Sequence, residues 1–272
     1  MYQQMFAFYI EHGLYQTNHD YTDKINHLVF FYQFDKIRIE QIHDYCTLRT
    51  LQGVKNATIN RELTVIRSVI NFYNKHHDEK IINPFQGFKL FENDFMPRYL
   101  NHWECTRLLK SALDYDNVRL WAFIQLALNT GSRAGELTRL QWENVHMVDK
   151  YMTVRNSMSK NKKTIHKPLN TRALQAFDKL SNGSEWVFYN ANTGKNVLSF
   201  RRGFELAVER AGIGKVRIHD LRHTFASFLV KEGVPLYHVS QLLGHSDVRI
   251  TQKYAHLSPN SLANVLDKLP DF

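Results

Sequence analysis

The chain has 272 residues, 43% of them hydrophobic and 22% charged, which is enough apolar side chain to build a core without metal or disulfide staples. Lys plus Arg number 35 against 26 for Asp plus Glu, and the formal net charge of +9 suits a polyanionic partner as well as a mildly basic soluble enzyme. A mean hydropathy of -0.41 with no apolar run of about 18 residues excludes a membrane helix, no basic-then-apolar leader is visible, and two distant cysteines, Cys46 and Cys105, read as packed thiols of a reducing compartment and not as a disulfide frame.

Residues 1–90 read as almost entirely helical. Phe6, Phe8, Tyr9 and Ile10 open an apolar helix that Gly13 stops. A second carries Tyr21, Ile25, Leu28, Val29 and Tyr32 at helical spacing, and Ile37, Ile39 and Ile42 lead into a third. The fourth has the clearest stripe, Ile59, Leu63, Ile66, Val69, Ile70 and Tyr73. Its other face offers Lys55, Asn60, Arg61, Arg67 and Lys75. Asn83-Pro84 breaks the pattern. Short amphipathic helices of this kind make a small bundle, and a basic face on it fits a solvated surface as readily as a nucleic-acid contact. Residues 86–98, with Gly87, Glu92, Asp94 and Pro97, read as a linker between a unit at 1–90 and one at 97–272.

The second unit opens at Asn101, with Glu104 placed for a capping box and Leu108, Leu109 and Leu113 as the apolar face. Leu120 to Leu128 is apolar nearly all round, the pattern of a buried helix. Asn129-Thr130-Gly131 ends it and Arg133 comes directly after. An Arg held in the interior there needs a partner, and Glu136 is three residues on; an ordinary helix-end Arg would make only a surface ion pair. Val145, Met147 and Val148, then Tyr151, Thr153 and Val154, flank Asp149-Lys150 as a hairpin does. Lys160-Asn161-Lys162-Lys163 makes a second turn before Thr164 to Leu169. The result is a small antiparallel sheet with a lysine-rich tip, suited to solvent or to a phosphate backbone.

Helices return at 171–180 and 198–211, the latter ended by Gly212. His219 to Lys231 forms a helix with Leu221, Phe225 and Leu229 inward, closed by Gly233. Pro235 opens another, with Val239, Leu242 and Leu243 inward. Ser246-Asp247 caps a further helix that carries Tyr254. A last amphipathic helix at 261–269 holds Leu262, Val265, Leu266 and Leu269.

His219 and Arg222 share a helix face near an N-terminus, where backbone N–H groups favour an anion. Taken singly, His-x-x-Arg, a Gly-His at a helix end and a helical Tyr are ordinary surface or core features. Together they are specific. Arg133 lies in Thr-Gly-Ser-Arg-Ala-Gly-Glu-Leu; His219 and Arg222 lie in His-Asp-Leu-Arg-His-Thr-Phe-Ala-Ser; His245 lies in Leu-Leu-Gly-His-Ser; Tyr254 lies in Thr-Gln-Lys-Tyr-Ala-His. In this order and spacing these words resemble the tyrosine site-specific recombinases, the phage integrase family. Thr58 to Leu63 and Asn83-Pro84-Phe85 look like the end of that family's core-binding domain, so the resemblance covers nearly the whole chain.

The resemblance implies a mostly α protein. An N-terminal four-helix SAM-like core-binding bundle precedes a mainly α catalytic domain with a small antiparallel β-sheet, and the two close as a C-shaped clamp on duplex DNA. It implies site-specific DNA recombination and integration. The Tyr254 phenol attacks a phosphate, a 3′-phosphotyrosyl link forms, and the released 5′-hydroxyl is replaced by that of a partner strand, through a Holliday junction, without ATP, metal or other cofactor. Arg133 and Arg222 would bind the non-bridging oxygens, and His219 and His245 would hydrogen-bond to them, His219 also helping to take the tyrosine proton. Lys160, eight residues before Pro168, would protonate the leaving 5′-oxygen, with Lys162 and Lys163 competing for that role. Glu136 would support Arg133. Lys55, Asn60, Arg61, Arg67, Lys162 and Lys163 are the further expected DNA contacts.

The partners implied are double-stranded recombination sites and a tetramer on DNA, with exchange of the helix at 261–269 between protomers. Accessory DNA-bending proteins are further partners, no membrane is expected, and the place of action is a prokaryotic cytoplasm. Ser132 stands where the family often has Leu. The helical pattern begins close to Met1, so no arm-site-binding domain is expected ahead of it. Two other readings compete: nicking and relaxation of the type IB topoisomerase kind, and non-enzymatic DNA binding on the same scaffold. The complete set Arg133, Lys160, His219, Arg222, His245 and Tyr254 argues against the latter.

Overall fold

The computed structural model describes residues 2–13, 27–34, 36–78, 80–90, 97–114, 117–155, 164–180 and 183–259. The chain divides into two units, Met1–Phe95 and Met96–Phe272, each with a core of its own.

In the first unit, α1 (Tyr2–Phe8) runs on into a π-turn at Tyr9–Gly13, which ends at the expected glycine. The described part of the second predicted helix finishes in a 3-10 turn, Val29–Gln33; its earlier part, with Tyr21 and Ile25, lies outside the described residues. Leu28 and Phe31 point into the core while Val29, expected inward, is half exposed. The tighter 3-10 winding puts residues three apart on one edge, and that edge is the one Leu28 and Phe31 occupy. Helices α2 (Ile39–Leu51) and α3 (Asn56–His76) complete the helical framework among the described residues. The stripe on α3 behaves as its period requires: Ile59, Leu63, Ile66, Val69 and Ile70 are all buried.

Glu62 shares that buried face. Its carboxylate accepts from Arg49 Nη2 at 2.7 Å, Arg49 Nε at 3.0 Å and Tyr45 Oη at 2.8 Å, so the charge is paired and hydrogen-bonded inside the bundle. The expected basic face of α3 is only partly a free surface. Asn60 donates to the Leu90 carbonyl at 3.0 Å and accepts from the Leu90 N–H at 2.8 Å. Arg67 donates to the Phe85 carbonyl at 2.9 Å and the Phe88 carbonyl at 2.8 Å. These two side chains strap residues 85–90 to α3, whereas Lys55 and Arg61 are exposed.

The second unit begins at α4 (His102–Leu113). Its N-terminus carries the predicted capping box, with Asn101 Oδ1 accepting from the Glu104 N–H at 2.9 Å and Glu104 accepting from the Asn101 N–H at 2.8 Å. Cys105, Leu108 and Ala112 face the core; Leu113, predicted inward, sits one position past that stripe and is exposed. Helix α5 (Val118–Thr130) is buried along most of its length, and a short α6 (Ala134–Thr138) comes after it. Strands β1 (Val145–His146), β2 (Tyr151–Arg155) and β3 (Thr164–Pro168) form an antiparallel sheet in that order, with Val145 opposite Met152 and Met152 opposite Lys167. Helices α7 (Thr171–Asp178), α8 (Arg201–Ala211), α9 (Ile218–Lys231) and α10 (Leu236–Leu243) come next.

Leu108, Phe123, Leu137, Met152, Phe177, Phe188, Phe204 and Leu221 lie at the centre of the main core. A satellite cluster of Phe225, Ala226, Val230, Val239, Leu243 and Tyr254 joins α9 to α10 and to the turns beyond. Both cysteines are buried and free, and burial raises each thiol to about 11, as expected of packed thiols. The predicted helix at 261–269 lies outside the described residues.

Candidate active site

Two glycines allow four segments to close on one point. Gly131 ends α5 with φ at 59°, and a Cβ there would come within 2.4 Å of the Phe225 ring of α9. Gly244 ends α10 with φ at 66°, and a Cβ there would come within 2.4 Å of Ile165 on β3. Only glycine combines this backbone with such contact, so the turn at 131–133, the end of α10, the flank of α9 and strand β3 converge.

Cations tie them together. Arg222 of α9 is 3% exposed, and its Nη1 donates to the Gly131 carbonyl at 2.7 Å while its Nη2 donates to the Leu243 carbonyl at 2.8 Å. Lys167 of β3 repeats the bridge one residue earlier on both segments. Its Nζ donates to the Thr130 carbonyl at 3.3 Å and to the Leu242 carbonyl at 3.1 Å. Lys167 is 1% exposed and lies 3.6 Å from Glu136 Oε2.

Glu136 in turn accepts from Arg133 Nη1 at 2.8 Å and from the Arg133 N–H at 3.0 Å, the partnership expected from their spacing. Ser132 is buried beside them, and its hydroxyl meets that of Thr130 at 2.8 Å, so a polar residue at this position is satisfied.

The charges do not cancel. Arg133, Arg222 and Lys167 face the Glu136 carboxylate, and Lys253 adds a further positive charge beside Arg222 and His245. Burial, reinforced by Arg133, pushes the Arg222 guanidinium down to about 10, still charged at neutral pH. Burial pushes Lys167 down to about 8, opposed by Glu136 and helped by Arg222. Burial works against the Glu136 charge, but Lys167 and Arg133 overcome it and its pKa stays below the ordinary carboxylate value. A buried surplus of positive charge is stabilised when an anion completes it.

Around this centre stand four rings. His245 Nδ1 meets Thr251 Oγ1 at 2.8 Å, and burial with Arg222 and Arg133 nearby lowers its pKa to about 3. Tyr254 is 1% exposed and its Oη lies 2.5 Å from His223 Nδ1. Burial raises the phenol to about 12, and burial together with Lys253 lowers His223 to about 3. Tyr254 therefore keeps its proton and His223 is neutral, and the two share a hydrogen bond whose direction is set by the His223 tautomer. His219 lies one helical turn back, edge-on to His223 with ring centroids 4.7 Å apart, and is the most exposed of these rings.

Tyr254 does not sit on the α-helix predicted for it. Asp247 caps a 3-10 turn, Val248–Ile250, by accepting from the Arg249 N–H at 2.9 Å, and a second 3-10 turn, Gln252–Leu257, carries the tyrosine. Thr251 is buried at the junction with its hydroxyl held by His245. That anchorage breaks the segment into two turns with i to i+3 bonds, Thr251 to Val248 at 2.8 Å and Tyr254 to Thr251 at 3.0 Å.

Of the residues singled out from sequence, Arg133, Glu136, Arg222, His245 and Tyr254 meet, with His219 at the rim. Lys160, Lys162 and Lys163 lie outside the described residues. Lys55, Asn60, Arg61 and Arg67 belong to the other unit. Sequence reasoning misses Lys167, His223 and Thr251. A signal exists for Lys167: strand alternation puts it inward between Ile165 and Leu169, where a charge is out of place. His223 lies in the same motif word as His219 and Arg222.

The neutral histidines give a stability signature. Both His223 and His245 have folded pKa values far below 6.5. The unfolded chain therefore binds more protons as pH falls below that value, and each pH unit withdraws up to about 1.4 kcal/mol per histidine. Urea unfolding is expected to show full stability above about pH 6.5 and a progressive loss toward pH 3, and a flat profile between about pH 7 and 5 would contradict the neutral assignment.

A family model described as the phage integrase family matches residues 98–261. The integrase of Salmonella phage P22 is 30% identical over 187 residues, covering 61% of this chain and 45% of the phage protein. The integrase of Escherichia phage P2 is 30% identical over 239 residues, covering 84% of this chain and 64% of the phage protein. The chain thus spans between about half and two thirds of the length of these relatives. Among solved structures, the Tn1549 transposon integrase in complex with a circular intermediate DNA superposes with a TM-score of 0.78 at 18% identity, covering 99% of both chains; at that identity the likeness is one of fold.

Proposed function

We propose that this chain, which belongs to the phage integrase family, cuts and rejoins DNA at specific sites through a covalent tyrosine intermediate. The observation that carries the reading is the double bridge across the site. Arg222 is fixed to the carbonyls of Gly131 and Leu243, Arg133 and His245 each lie two residues further along those same segments, and Tyr254 feels the Arg222 charge. A phosphodiester seated on the two guanidiniums neutralises the surplus charge.

Each group then has a task. A guanidinium carries five N–H donors, and Arg222 spends two on carbonyls, leaving three for phosphate oxygens. Glu136 holds Arg133 so that its fork faces the same anion. His245, neutral, offers its Nε2–H to a non-bridging oxygen as charge builds there, in the tautomer whose Nδ1 accepts from Thr251. The Tyr254 oxygen attacks phosphorus, a tyrosyl phosphodiester forms with the DNA 3′ end, and the bond to the 5′-oxygen breaks. His219 and His223 take up the phenolic proton, a role supported by the contact of His223 with Tyr254 and of His219 with His223. Lys160 supplies the proton to the leaving 5′-oxygen, and the 5′-hydroxyl of a partner strand reverses the step.

The further parts of this reading are duplex recombination sites as substrate, four protomers on two such sites, and exchange of the segment at 261–269 between protomers. Accessory DNA-bending proteins and a place of work in the prokaryotic cytoplasm complete it. No helix among the described residues is long and apolar enough to cross a membrane. The unit at 1–90 contributes Lys55 and Arg61 as DNA contacts, and Asn60 and Arg67 shape that surface by fixing residues 85–90.

The test is covalent capture. The protein is incubated with fragmented DNA from its own source genome, with a chelator and without ATP, then denatured. DNA that stays with the protein through denaturation is the expected result, and sequencing its ends names the site. Tight binding with complete release on denaturation would instead support non-enzymatic binding.

A further inference from the structure

We propose that Lys167 is a positioning residue of the phosphate site, a sealed cation that sets Arg133 and His245 and responds to the anion without touching it. This rests on the reading of the site as a phosphate site. Lys167 stands opposite Met152 in a strand pair and between inward apolar neighbours, where an apolar side chain would pack without cost. A lysine there needs three acceptors, and it has them: the carbonyls of Thr130 and Leu242, and the Glu136 carboxylate.

Each acceptor is tied to a group that faces the phosphate. Arg133 comes three residues after Thr130, His245 three after Leu242, and Glu136 is the carboxylate that holds the Arg133 guanidinium. Lys167 therefore touches the support of both phosphate-facing groups. Arg222 makes the parallel bridge to Gly131 and Leu243 but is itself aimed at the anion. The two cations divide the work, one under the site and one in it. Removing the Lys167 charge leaves Glu136 with Arg133 alone, and leaves the turn at 130–133 joined to the end of α10 through Arg222 without the second bridge beneath it.

Among the described residues, the charged and titratable groups facing Lys167 are Glu136 and Arg133 on α6 and its cap, Arg222 on α9 and His245 after α10. Glu136 is ionised, Arg222 is charged and His245 is neutral throughout the range from about pH 7 to 9, whereas Lys167 titrates there. An anion on the site favours the ammonium. Binding then takes up a proton as the pH approaches 8, and affinity falls as pH rises through that value.

The test uses sulfate, which does not titrate in this range, and reads its binding at the site from the imidazole resonances of His245 in the full chain. In the natural protein the sulfate affinity is expected to fall roughly tenfold from about pH 7 to 9. In Lys167→Met it is expected to be weaker by roughly tenfold at about pH 7 and independent of pH. Glu136→Gln combined with Lys167→Met removes both charges and is expected to restore folding if the single variant is unstable, with the affinity still flat in pH.

A natural protein whose sulfate affinity does not change with pH overturns the proposal, as does a variant that keeps the same pH dependence. Sulfate binding needs no strand cleavage. Failure of covalent capture would therefore sink the strand-transfer reading and leave this result standing, and the converse also holds.

Discussion

Tyr254→Phe is expected to abolish covalent capture of DNA while leaving the protein folded and able to bind. The variant removes one oxygen and keeps the ring, which is 1% exposed in the satellite core with Phe225, Val239 and Leu243. The folding cost is the lost hydrogen bond to His223, about 1 kcal/mol. The cost to chemistry is total, because no other atom of the side chain can bond phosphorus. Affinity for a duplex carrying the captured site is expected to stay within about threefold, since phosphate contacts come from the cations. Gel analysis of denatured mixtures with the natural protein and the variant, alongside a binding measurement, checks this. Adduct formation by the variant at the natural level would assign the attack to a different residue.

The second large effect belongs to Arg222. Arg222→Gln keeps a polar side chain of moderate length but loses the charge and the fork. Gly131 and Leu243 lose their bridge at the same time. The rate of adduct formation in a single turnover is expected to fall by at least about 10²–10³, the usual loss for one oriented donor to a developing oxyanion. Urea unfolding is expected to show a loss of about 2–4 kcal/mol, from two buried carbonyls left short of a donor. Arg222→Lys does not rescue either, because an ammonium cannot span both carbonyls and fork onto a phosphate. A rate within about threefold of natural would remove Arg222 from the reacting centre.

Elements whose pattern depends on their own residues are legible in the sequence. The stripe of α3, the apolar run of α5, the capping box at Asn101 and the hairpin around Asp149-Lys150 all derive from period, cap and turn chemistry. The site is legible only as a set of words in order and spacing, since each of His219, Arg222, His245 and Tyr254 is ordinary alone. The features that escape depend on partners far away in the chain. Glu62 is inside because Arg49 and Tyr45 meet it there, and Lys167 is inside because Glu136 and two carbonyls do. Asn60 and Arg67 look like a free basic face because the segment that they strap, 85–90, carries no mark of its destination. Tyr254 reads as α-helical because nothing local announces that Thr251 will be held by His245.

The central claim is that Tyr254 becomes the covalent attachment point of a DNA 3′ end. The most direct measurement is digestion of the captured adduct with protease and nuclease, then mass spectrometry of the modified peptide and labelling of the free DNA end. The account predicts one nucleotide-bearing peptide, modified at Tyr254 through a 3′-phosphate, and a free 5′-hydroxyl on the cleaved strand. Modification at another residue, attachment through a 5′-phosphate, or a cleaved strand with no protein attached would contradict it.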